Sequence, residues 1–130
     1  MLLPQAKKNE IHENICNELL KERAAVLSRA GFAVDDILQR LNRMDQIINA
    51  KTMQLKTICS SRTVERFPSG ETCLADEINR LIDEFNQIRQ KAELQFYYLI
   101  VTREALGLRR HQAVHELYRI PIKKKKIQAT

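Results

Sequence analysis

Val34-Asp35-Asp36-Ile37-Leu38-Gln39-Arg40-Leu41-Asn42-Arg43-Met44 opens the most regular part of this chain. Val34, Leu41, Ile48 and Leu55 follow one another in steps of seven. Ile37, Met44, Lys51 and Ile58 form the companion row, broken only by Lys51. Two apolar rows repeating every 3.5 residues are the pattern of helices packed side by side with a slight left-handed supercoil. The spacing predicts a helix over about 33–61. Asp35 and Asp36 fall in its first turn, where carboxylates favour the helix dipole.

Working outward, the glycines and prolines set the limits. Pro4, Gly31, Pro68, Gly70, Gly107 and Pro121 are the only ones in 130 residues. Upstream, about 5–30 places Ile11, Ile15, Leu19, Val26 and Ala30 at helical spacing, widened by Leu20 and Leu27. Arg29 then Gly31 read as a helix end, and a link of only Gly31-Phe32-Ala33 forces antiparallel neighbours. Downstream, Thr63 to Gly70 breaks the pattern; Pro68 disfavours helix at Phe67, and Ser69 or Thr72 is a candidate cap.

A third helix over about 71–106 carries Leu74, Leu81, Ile88, Gln95 and Thr102 in one row. Ile78, Phe85, Ala92, Leu99 and Leu106 form the other. It outreaches the second helix, so its last turns overhang. Gly107 ends it, His111 to Tyr118 reads as a short fourth helix, and Pro121 stops that one. The expected fold is therefore all-α: an antiparallel up-down-up bundle of three long helices with coiled-coil-like heptad packing, a short C-terminal fourth helix and a basic tail. Residues 1–122 make one domain, and 123–130 a flexible tail.

The overhang is where the pattern changes. Leu94 and Phe96 to Val101 are apolar nearly all round, so they need cover on more than one side. Either 108–122 folds back over them, through Leu108, Val114, Leu117, Tyr118, Ile120 and Ile122, or a second chain covers them.

Charge points to the same end. Residues 103–126 hold eight bases and two acids, an excess equal to the whole chain's net charge of +6. Phe96, Tyr97 and Tyr98 are candidate apolar anchors for a partner. Arg109, Arg110, Arg119, Lys123, Lys124, Lys125 and Lys126 supply electrostatic steering. The favoured reading is a non-enzymatic adaptor or assembly module that binds a protein partner or itself through this end. The alternative is a nucleic-acid-binding protein whose basic cluster neutralises phosphates, with lipid headgroups as another anionic surface. A simply hydrated lysine tail is the plainest reading of that run. A helix-turn-helix within Leu99 to Tyr118, with Arg109 to Gln112 opening a recognition helix, is a weaker form of the nucleic-acid reading.

Other chemistry has little support. His111 and His115 share a helical face at i, i+4, the spacing of a metal pair. Glu116 points about 100° away, so the two are weak candidates and no metal is assigned. An up-down-up path would also bring His12, Cys16, Cys59 and Cys73 into one half of the molecule, where core or rim thiols are favoured over a metal cluster. Three cysteines without C-x-x-C spacing argue for reduced thiols. No glycine-rich phosphate loop, G-x-S-x-G or H-E-x-x-H is present, so the chain is read as no enzyme and as needing no cofactor. The expected setting is cytoplasmic, because no signal peptide and no membrane span is legible.

Overall fold

A computed structural model describes residues 3–60 and 68–127, with side chains over 3–60 and 73–127. It is mostly helical, and no strand occurs among the described residues. Helix α1 runs unbroken over Gln5–Ser60, α2 over Pro68–Ala105, and α3 is the short Gln112–Leu117. Val34 meets Leu99 at one end of the packed region and Lys51 meets Glu77 at the other, so α1 and α2 are antiparallel. The break expected over Thr63 to Gly70 lies outside the described residues up to Phe67; from Pro68 onward the backbone is already helical. Proline suits a first helical position, where its missing N–H has no partner to lose.

Among the described residues two long helices stand where three were expected, because α1 runs straight through Gly31-Phe32-Ala33. A glycine inside a helix costs about 1 kcal/mol relative to alanine, which the helical hydrogen bonds on both sides readily outweigh. Gly31 marks a close approach instead. It is buried, and a Cβ built there would lie 3.0 Å from the Tyr118 hydroxyl. The glycine that does take positive φ is Gly107, at 88°. There the Leu108 N–H donates to the Arg103 carbonyl (2.9 Å) and the Gly107 N–H to Glu104 (3.0 Å), a Schellman stop. Gly31→Ala is therefore expected to change unfolding stability by no more than about 1 kcal/mol, since a helical φ accepts alanine and a tyrosine tip can yield. Urea denaturation checks this; a loss above about 2 kcal/mol would mean that Tyr118 cannot yield to a Cβ at Gly31.

The apolar rows read from the sequence form the core. Leu41, Ile48, Ile78, Ile82, Phe85, Ile88 and Ala92 make one buried cluster; Val34, Leu99 and Val114 make a second. Lys51 breaks its row for a reason that lies on α2: its ammonium donates to Glu77 at 2.8 Å. That hydrogen bond, with the charge behind it, holds the Glu77 carboxyl below the usual carboxylate range.

The lengths leave a large remainder. At 1.5 Å per residue α1 is about 84 Å long and α2 about 57 Å. The overhang thus belongs to α1, not to the end of α2. Every described residue from Leu3 to Val26 is exposed, including Ile11, Ile15, Leu19 and Leu20. No described helix is long and apolar enough to cross a membrane.

Candidate interaction site

The pole where α2 ends carries most of the residues the sequence singles out. Phe96 is half-buried: it packs against the second cluster, its ring 5.0 Å from that of His115. Tyr97 and Tyr98 face outward, 61% and 49% exposed, flanked by Leu94 and Val101. The spacing i, i+3, i+4, i+7 puts these four on one stripe of α2, opposite the buried row of Phe85, Ala92 and Leu99. Fold-back of 108–122 therefore covers one side only. Val114, Tyr118 and Ile120 pack inward, whereas Leu108, Leu117 and Ile122 remain exposed.

Arg109 and Arg110 are exposed in the link before α3. Because α3 begins at Gln112 and has six residues, they do not open a recognition helix. The link is braced by Arg103, whose Nη2 donates to the Arg110 carbonyl at 2.9 Å and whose Nε donates to His111 Nδ1 at 3.3 Å. A guanidinium has only donors, so Nδ1 accepts, and Nε2 carries the proton that faces Glu104 at 3.2 Å. His111 and His115 thus have different neighbours, a charged pair for one and a phenyl ring for the other.

The lysine run departs furthest from expectation. Instead of hanging loose over 123–130, the chain from Pro121 to Ile127 lies back along α2; residues 128–130 are outside the described part. Asn86 Nδ2 donates to the Lys124 carbonyl (2.9 Å) while its Oδ1 accepts the Lys124 N–H (2.9 Å). Asn79 repeats this on Ile127, at 3.0 and 2.8 Å. Arg89 Nε donates to the Pro121 carbonyl at 2.6 Å. The physical reason is that Ile120 and Ile127 pack against the larger core cluster, so the backbone between them must find partners near its surface.

The lysines divide accordingly. Lys124 is ion-paired with Asp45 of α1, and its ammonium sits 5.0 Å over the Phe85 ring. Lys126 reaches Asp83 at 3.1 Å. Lys123, Lys125 and Arg119 are exposed. Two of the four lysines offered for a polyanion are therefore engaged within the chain. A cleft of about 680 Å³ remains beside this strap, walled on the α1 side by Asn42, Asp45 and Asn49.

The proposed gathering of His12, Cys16, Cys59 and Cys73 does not occur. With α1 continuous, Cys16 and Cys59 are 43 residues apart on one rod, about 64 Å. Cys16 lies 3.8 Å from His12 on its own helix. Among the described residues no group of three His, Cys, Asp or Glu side chains is placed to hold a metal ion.

Sequence reasoning missed two features: the unaccompanied N-terminal part of α1, and the asparagine clamps. The second had a signal, since Asn79 and Asn86 stand one heptad apart on α2. Compared with known proteins, the chain matches no family model, no curated protein and no solved structure.

Proposed function

We propose that the chain is a non-enzymatic assembly module that associates with a second copy of itself through the overhanging part of α1. The observation that carries this reading is the exposed stripe of Ile11, Ile15, Leu19 and Val26, with Leu20 beside it, on a helix with no α2 alongside. Most helical stability in proteins comes from packing an amphipathic face, and an apolar stripe on this extension lowers its free energy only when covered. About 33 Å of rod is three heptads, enough for a two-stranded contact. Residues 5–30 carry five bases and four acids, so two copies do not repel, and a polyanion gains little there. Tyr97, Tyr98, Arg109 and Arg110 lie at the pole from which this helix projects. They form a second face of the same module.

Sedimentation velocity across micromolar concentrations tests the reading. The full chain is expected to dimerise, and Ile15→Asp with Leu19→Asp to leave it monomeric with its hairpin intact. A wild-type chain that stays monomeric at several hundred micromolar would contradict it. Binding to an oligonucleotide that competes with dimerisation would favour the nucleic-acid reading instead.

A further inference from the structure

We infer that the groove between α1 and α2 is a binding site for extended basic peptides, and that residues 120–127 are its resident ligand, bound in cis. The site is separate from the overhanging helix and does not depend on it. What singles it out is how the strap is held: by side-chain amides acting on its main chain. Each of Asn79 and Asn86 donates to the carbonyl and accepts the N–H of one strap residue. Contacts of that kind read an extended backbone, whatever its side chains.

The register is matched to a repeating strand. One heptad on α2 advances about 10.5 Å, and the three residues from Lys124 to Ile127 advance about 9–10 Å in an extended or polyproline II strand. Beyond this matched pair the Pro121 carbonyl takes the Arg89 guanidinium; Arg89 is only three residues past Asn86, about 4.5 Å of helix, and its long side chain spans the rest. Between these points side chains supply the selectivity. Ile120 and Ile127 enter the apolar floor. Lys124 fits a slot made by the Asp45 carboxylate and the Phe85 ring. Ile122 is 84% exposed, and Lys123 and Lys125 are also exposed. The groove therefore specifies an aliphatic residue, a lysine four positions on, and a second aliphatic three beyond that.

The cleft left open beside the strap, walled by Asn42 and Asn49, shows that the groove is wider than the chain lying in it.

The probe is a fluorescent peptide of residues 119–127, titrated into the full chain and into a strap-released variant, Ile120→Asp with Ile127→Asp. The released variant is expected to bind at least ten-fold more tightly than wild type. Adding Asn79→Ala and Asn86→Ala is expected to weaken that binding ten-fold or more, and a scrambled peptide of equal charge to bind ten-fold less. Equal binding of the scrambled peptide, or no binding to a released variant of undiminished helicity, overturns the proposal. Should the released variant lose its helicity, hydrogen exchange on the unaltered chain decides. The Lys124 and Ile127 amides are expected to exchange at least a hundred-fold faster than those of Phe85 and Ile88, though slower than in the free peptide. Equal rates for strap and core would mean that the strap leaves only on unfolding, which also overturns it.

Discussion

Phe85→Ala is expected to remove about 3–5 kcal/mol of unfolding free energy, the usual range for deleting a buried phenyl ring. Phe85 is 1% exposed and belongs to the larger core cluster, where Leu41, Ile48, Ile78 and Ile82 leave few neighbours able to collapse into the space. Its ring also carries the Lys124 ammonium, so the substitution removes one wall of the slot that holds the strap. Domains of this size have about 5–15 kcal/mol of stability in all, so the expected loss is a large share. Urea denaturation followed by circular dichroism measures it, with Phe32→Ala as control. Phe32 is 67% exposed on the outer face of α1 and is expected to change stability by less than about 0.5 kcal/mol. A Phe85 loss no larger than the Phe32 loss would mean that the core is not where the structure puts it.

The second large effect is on association. Ile15 and Leu19 are 51% and 50% exposed in the single chain. Burying an aliphatic side chain of this size is worth about 1.5–3 kcal/mol. Replacing both by aspartate removes that gain from each copy and sets like charges against one another across the contact. The dissociation constant is expected to rise at least ~100-fold, since each 1.4 kcal/mol is a factor of ten. Hairpin stability is expected to stay within about 1 kcal/mol, because neither side chain touches α2 or the strap. The comparison separates assembly from folding: Phe85 governs the hairpin, Ile15 and Leu19 govern contact between copies.

Much of the core was legible because periodicity records burial. Val34, Leu41 and Ile48 stand in a row in the sequence and are buried in the structure. Gly107 was legible as a helix stop because the Schellman bonds are local, made within five residues. Gly31 was not, because glycine serves two ends. It can leave the helix at positive φ, or stay in it and admit a neighbour, and the neighbour here, Tyr118, lies far along the chain. Taken as a helix end, that one residue turns a rod into a hairpin and gives the stripe of Ile11 to Val26 a partner helix it does not have. The same limit explains the tail. Four consecutive lysines read as hydrated when the amides, carboxylates and ring that receive them sit on two other segments. Phe96 and Tyr97 show the limit at single-residue scale: adjacent aromatics, one packed on His115, the other turned outward.

The continuity of α1 through Gly31 underlies the overhang, the exposed stripe and the proposed assembly, and the chain's own thiols can measure it. Cys16 and Cys59 both lie on α1 and are exposed. With Cys73→Ser, nitroxide labels on these two positions allow a pulsed electron–electron distance measurement, made on labelled chain diluted in unlabelled protein. A continuous helix gives a single distribution centred at about 64 Å. A chain folded back at Gly31 brings the two labels to roughly 20 Å, from helical rise alone, and a major population at that shorter distance would contradict the account.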